Sequence, residues 1–312
     1  MDLSNQPIIQ IKNVTRTFKD VEAVSDLSVE IYPGELFGLV GPDGAGKTTT
    51  LRILAGLLSL SGGEGSVAGF NLQTESEKIK KKIGYMAQRF SLYAELSVVE
   101  NLKFFADLYD VPRAHVASRM DKLLEFANLT GFRTRRADKL SGGMQKKLAL
   151  ACCLIHEPEI LLLDEPTTGV DPVSRREFWN ILSDLHLSGT TIVVSTPYMD
   201  EADRCSEVGL MYEGKLIRNA PPKEIRSSLN AEMIVLVPET REGVEEILKS
   251  IQGVIEVQTY GDAYHILVED AKSQIPKIEQ IFRKTKRSYR ELRVSPPRME
   301  EAFISLMKGL EG

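Results

Sequence analysis

Three cysteines in 312 residues cannot build a disulfide framework. Cys152, Cys153 and Cys205 are unevenly spaced, and the first two lie in the apolar stretch 148–155. A buried helix face suits that pair better than a metal site, and the chain reads as one made for a reducing, cytoplasmic compartment. Long apolar runs are also missing. No segment approaches the roughly 18–20 apolar residues that a membrane span needs. The start, Met1-Asp2-Leu3-Ser4-Asn5, has no apolar core of the secretory kind. Any membrane work is therefore expected to pass through a partner. His115, His156, His186 and His265 stand apart, without ligand spacing. Positive charge is not in excess: the net charge is −5, which argues against nucleic acid as a partner. The basic clusters near 78–82, 133–136 and 283–293 have Asp and Glu close by and read as solvated surface.

What is present is enough apolar sequence, 42%, for a large core and a small one. Residues 8–11 and 27–31 read as strands. Leu36-Phe37-Gly38-Leu39-Val40 is a continuous apolar run, as in a strand buried on both faces. Thr48 to Leu58 reads as a helix. Residues from about 89 to 155 are mostly helical, with Val98, Leu102 and Phe105 on one face and Leu123, Leu124 and Ala127 on another. Apolar runs at 160–163, 191–194 and 208–212 alternate with helical stretches, which argues for a mainly parallel sheet covered by helices. After Ala220-Pro221-Pro222 the composition shifts. A strand over 233–237, helical spacing at Val244, Ile247, Leu248 and Ile251, a hairpin about Gly261-Asp262 and a second helix through Ile275, Ile278, Ile281 and Phe282 suggest a split β-α-β-β-α-β unit. Met299, Phe303, Leu306 and Met307 form an apolar stripe on a last helix.

Gly41-Pro42-Asp43-Gly44-Ala45-Gly46-Lys47-Thr48 fits G-x-x-x-x-G-K-T between a strand and a helix. Glycines let backbone N–H groups turn inward around phosphates, and the helix start adds positive potential. Lys47 would reach the β- and γ-phosphates, and the Thr48 hydroxyl would meet Mg²⁺. Asp164 ends the run 160–163, where a carboxylate can hold Mg²⁺. Glu165 follows, suited to take a proton from an attacking water. Ser141-Gly142-Gly143 opens another helix and makes a second anion-binding start. Two such starts in one chain fit a dimer that sandwiches each nucleotide between them.

With these motifs the chain, over residues 8 to about 225, resembles an ATP-binding-cassette (ABC) ATPase subunit. The resemblance implies ATP and Mg²⁺ as cofactors. It places Phe18 on the adenine and makes 41–49, through Thr49, the phosphate loop. Gln88 becomes the sensor of Mg²⁺ and γ-phosphate, which also touches the transporter partner. Ser141, Gly142 and Gly143 become the signature that completes the opposite subunit's site, and Asp171 the residue of the loop that couples the sites. Glu165 and Gln88 would be catalytic; Thr48, Gln88 and Asp164 would hold the metal. The implied fold is an α/β P-loop NTPase cassette at 1–225, with a mixed sheet core and a helical subdomain over about 89–155. A small α+β ferredoxin-like domain would occupy 226–312, similar to that of ATPases of the drug-exporter branch. Gly41-Pro42-Asp43-Gly44 and residues 195–202 resemble the first cassette of a tandem-cassette exporter group, although only one cassette is present here.

The implied partners are a transmembrane permease subunit and a second cassette, on the inner face of the cell membrane. Phe90, Leu92 and Tyr93, beside Gln88, are candidates for docking the permease or for ordinary core packing. Two positions depart from the family pattern. Asp43 replaces the usual Asn. Pro197 replaces the usual histidine, and it offers neither a side-chain donor nor an N–H. The chain's own site is then expected to turn over slowly, unless Thr196 or Tyr198 takes the role. A low-turnover regulatory ATPase module stays open as an alternative. A soluble ABC ATPase acting on ribosomes or DNA fits less well, because the stretch from Lys47 to Ser141 has no sustained heptads.

Overall fold

A computed structural model describes residues 6–89, 92–229 and 231–311. The chain divides into two compact units, Met1–Pro222 and Lys223–Gly312. The first unit opens with β1 (Ile9–Phe18) and β2 (Val21–Ile31), then β3 (Leu36–Val40) and α1 (Lys47–Leu54). Next come β4 (Gly62–Val67), β5 (Phe70–Asn71), α2 (Ser76–Lys82) and β6 (Ile83–Met86). A helical region follows: α3 (Val98–Leu108), α4 (Arg113–Phe126) and α5 (Gly142–Leu154). The unit closes with β7 (Ile160–Asp164), α6 (Pro172–Leu187), β8 (Thr191–Thr196), α7 (Met199–Ala202), β9 (Glu207–Tyr212) and β10 (Lys215–Ala220).

Two sheets result. One is antiparallel, in the order β2-β1-β4-β5. The other runs β10-β9-β3-β8-β7-β6, parallel except for the edge strand β10. β3, β7 and β8 are buried at every position, which is why residues 36–40, 160–163 and 192–194 read as continuous apolar runs rather than alternating ones. One apolar cluster links Ile9, Leu27 and Ile31 of the antiparallel sheet to Phe37 and Leu39 of β3, Leu51 of α1 and Leu162 of β7. The mixed sheet therefore forms a single core with its neighbour, and the C-terminal ends of β3, β7 and β8 lie side by side.

α1 is shorter than the helical pattern through Leu58 suggests. It ends at Leu54, and Gly56, at φ 65°, takes the left-handed conformation that stops a helix. In the helical region Ser97 and Glu100 form a reciprocal capping box at the start of α3. Val98, Leu102, Leu124 and Ala127 are buried as expected. Cys152 and Cys153 are buried and unpaired on α5, and burial pushes the Cys153 thiol up to about 12. Of the apolar trio beside Gln88, Leu92 is packed inside, Tyr93 is 48% exposed, and Phe90 lies outside the described residues. Among the described residues no helix is long and apolar enough to cross a membrane.

The second unit starts at Lys223, one residue inside α8 (Pro222–Ser227), and continues with β11 (Glu232–Pro238), α9 (Val244–Lys249), β12 (Val254–Tyr260), β13 (Ala263–Val268), α10 (Ala271–Lys284), β14 (Tyr289–Ser295) and α11 (Met299–Glu311). Its antiparallel sheet has the order β12-β13-β11-β14, the split β-α-β-β-α-β arrangement. Gly261-Asp262 makes the tight link between β12 and β13. Ile234 and Leu236 pack with Leu248, Ile278 and Phe282 on one side of the sheet, while Met233, Val235 and Val237 point to the other.

Candidate functional site

The loop between β3 and α1 is built for an anion. Gly46 caps the helix with φ 102° and supplies no side-chain bond, so the first N–H groups of α1 keep no local acceptor of that kind. Lys47 is 3% exposed and its ammonium donates to the carbonyls of Gly41 and Pro42, both at 2.9 Å. A cation is thus folded back over the loop and fixed there. Asp43 and Gly44 are exposed, whereas Ala45 is buried; Thr48 and Thr49 are half-buried.

The acids come from β7. Asp164 is fully buried; its Oδ1 accepts the Thr48 hydroxyl at 2.9 Å and the Ser195 hydroxyl at 2.7 Å. Its Oδ2 is buried with no protein partner. Burial pushes the Asp164 carboxyl above its usual range, although the Ser195 and Thr48 bonds pull the other way. An orphaned carboxylate oxygen beside a threonine hydroxyl fits a hard divalent cation that completes its shell with phosphate and water. Among the described residues no group of three or more His, Cys, Asp and Glu gathers, and Mg²⁺ shared with a nucleotide requires no such cage.

Glu165 stands at φ 45°, a left-handed position that costs a side-chain-bearing residue about 1–3 kcal/mol. Its N–H is held by the carbonyl and hydroxyl of Ser195, at 3.2 and 3.0 Å. Its carboxylate lies 3.4 Å from the Lys47 ammonium, accepts Gln88 Nε2 at 2.8 Å and accepts the Thr168 hydroxyl at 3.3 Å. A positioned carboxylate of this kind can take a proton from water near a bound phosphate.

The structure therefore brings together the 41–49 loop, Gln88, Asp164 and Glu165. Ser141, Asp171 and Phe18 have partners of their own. Ser141 caps α5 by accepting Met144 N–H at 3.3 Å, and Ser141 and Gly142 are exposed. Asp171 caps α6 by accepting the N–H groups of Val173 and Ser174, and these bonds hold its carboxyl below the usual range. Phe18 is 42% exposed at the end of β1, with the Arg16 guanidinium 4.6 Å from its ring centroid. Pro197 follows β8 directly. Thr196 and Tyr198, the possible stand-ins for a histidine, are engaged: the Thr196 hydroxyl donates to Glu201, and Arg175 lies 4.4 Å from the Tyr198 ring centroid.

Sequence reading missed Ser195, Thr168 and Lys146. Ser195 could have been found as a polar residue at the end of an apolar strand. Lys146, on α5, donates to the Gln88 carbonyl at 3.1 Å; burial lowers its pKa while Asp164 and Glu165 raise it. No local pattern marks it.

Parallel strand, glycine loop, helix and a buried aspartate at the end of β7, separated from β3 by β8, define a P-loop nucleotide-binding fold. A family profile described as ABC transporter matches residues 24–168, and the Nod factor export ATP-binding protein I of Rhizobium etli is 33% identical over 300 residues, 96% of this chain and 92% of that protein. The chain belongs to the ABC transporter family, as an ATP-binding ATPase cassette. The probable multidrug ABC transporter ATP-binding protein YbhF of Escherichia coli is 41% identical over 222 residues, 71% of this chain but only 38% of YbhF. Among solved structures, the ATP-binding cassette MJ0796 in a dimeric post-hydrolysis state with ADP and Pi aligns with TM-score 0.63 and 28% identity, over 68% of this chain and 98% of that one.

Proposed function

We propose that this chain is the ATP-hydrolysing subunit of an exporter, docked as a dimer on the inner face of the cell membrane beneath a transmembrane permease. The observation that carries the reading is the meeting of Lys47, Thr48, Asp164 and Glu165 at the ends of β3 and β7. Kinship with proteins named for multidrug and Nod factor export supports the transport role.

In this reading Lys47 and the loop amides from Gly41 to Thr49 hold the β- and γ-phosphates, and Phe18 stacks on adenine. Thr48, Asp164 and Gln88 hold Mg²⁺, which when bound offsets charge on the phosphates. Glu165 accepts the proton of the water whose oxygen attacks the γ-phosphorus, as the bond to the ADP oxygen breaks. Gln88 orients that carboxylate. Ser141, Gly142 and Gly143 complete the nucleotide site of a second cassette, and Asp171 couples the two sites. Pro197 leaves out the donor that would position γ-phosphate and water, so the chain's own site turns over slowly. That residue also favours the second reading, a regulatory module with little turnover.

Cross-linking from a Tyr93→Cys variant in native membranes tests the transport role. Capture of a polytopic membrane protein is expected; capture of soluble proteins alone would remove it. A steady-state ATPase assay with and without the captured partner separates exporter from regulatory module.

A further inference from the structure

The strained turn at Glu165 is held from behind by a residue that lies outside the phosphate site. Glu201, on α7, is 1% exposed. Its Oε1 accepts the Thr167 hydroxyl at 2.7 Å and Arg175 Nε at 2.6 Å, and its Oε2 accepts the Thr196 hydroxyl at 2.5 Å. Thr167 and Thr196 are themselves buried. One carboxylate thus joins the loop after Glu165, the first turns of α6 beyond Asp171, the end of β8 and its own turn. The ties run onward. Thr196 O accepts Gly41 N–H at 3.3 Å, and Thr196 Oγ1 accepts Tyr198 N–H at 3.0 Å. Arg175 also binds both oxygens of Asp200, at 2.9 and 3.1 Å.

A buried carboxylate is costly unless every lone pair is used, and an apolar side chain would fill the space without that cost. What the charge supplies is geometry. Pro197 has no N–H, so the turn after β8 depends on the bonds of Thr196 and Glu201 instead. We infer that Glu201 is a positioning residue for Glu165: through Thr167 it keeps the left-handed turn that aims the Glu165 carboxylate, and through Arg175 it ties that turn to the helix capped by Asp171. The kinetic half of this inference rests on the ATPase reading above; the structural half does not.

The test uses the full chain with Glu201→Gln, Thr167→Val and Thr167→Ser. An amide at 201 keeps the size but replaces one acceptor with a donor. Valine at 167 keeps the shape and removes the hydroxyl, and serine restores it. The backbone N–H groups of Glu165, Thr168 and Val170 bond to Ser195, Glu165 and Thr167, so their hydrogen exchange reports the turn. Exchange of these amides should quicken about tenfold or more in Glu201→Gln and Thr167→Val and stay at the wild-type rate in Thr167→Ser. Single-turnover hydrolysis should fall about 10–100-fold in the first two variants, as small misplacements do, with the MgATP Kd within about threefold of wild type. The double variant should be no slower than the slower single one, because both changes break one network. A purely structural role would lower Tm and weaken MgATP binding together with turnover. Unchanged exchange in both variants, or faster exchange with unchanged turnover, overturns the inference. Failure of the wild type to bind MgATP would instead remove the functional reading and leave the exchange result to decide the turn.

Discussion

The chain has two glycine-rich helix starts, at Lys47 and at Gly142, and they differ in everything around them. The first is walled by β3, β7 and β8. It has a buried ammonium, a buried aspartate with an unused oxygen and a carboxylate within reach. The second is a serine-capped start with Ser141 and Gly142 exposed to solvent. Similar local chemistry thus gives a site that is assembled within one chain and a surface that needs something brought to it. A helix start offers N–H groups, but the surrounding strands decide whether it is a complete site.

The largest expected effect sharpens the first of these. Pro197→His returns a positioning donor beside Ser195 and Thr196, and steady-state turnover should rise about 10²–10⁴-fold, the usual contribution of such a group. An unchanged rate would show that the site is not limited there. The next probes the second start. A Cβ at Gly143 would come within 2.5 Å of the Ser174 side chain, whereas one at Gly142 meets nothing within 4 Å. Gly143→Ala should cost about 1–3 kcal/mol in denaturant unfolding through overpacking. Gly142→Ala should keep stability and lower only the turnover of the assembled dimer.

A smaller effect separates stability from binding at Asp164. Its folded pKa is raised above the ordinary 3.8, so the folded state holds its proton longer than the unfolded one does. The sign follows: stability is lost as pH rises from that value through the raised pKa, and the loss is constant above it. Asp164→Asn should remove this loss. Its Tm relative to wild type should improve as pH rises through that window, while Mg²⁺-dependent ATP binding disappears. A Tm difference independent of pH would contradict the burial argument.

Much of this was legible in the sequence because the signals are local. The G-x-x-x-x-G-K-T motif of the phosphate loop occupies eight consecutive residues, Gly41 to Thr48. The Asp164-Glu165 pair follows an apolar run, Ser141 precedes a helix, and Gly261-Asp262 separates two strands. What escaped depends on distance along the chain. Glu201 meets Thr167 and Arg175 across 34 and 26 residues, and a glutamate in a short helix reads as surface until the fold buries it. Lys146 approaches Gln88 from a helix 58 residues away. The left-handed φ of Glu165 has no glycine to announce it; it is imposed by Ser195 and the network behind it.

Calorimetric titration of MgATP into the wild type, Lys47→Ala and Ser141→Arg tests the contrast between the two helix starts most directly. The expected result is a single site per chain. Lys47→Ala should weaken it by at least about 100-fold, the scale of losing a buried charged partner, and Ser141→Arg should leave it within about threefold. Retained affinity in Lys47→Ala, or a loss in Ser141→Arg as large as that in Lys47→Ala, would contradict a site assembled within one chain.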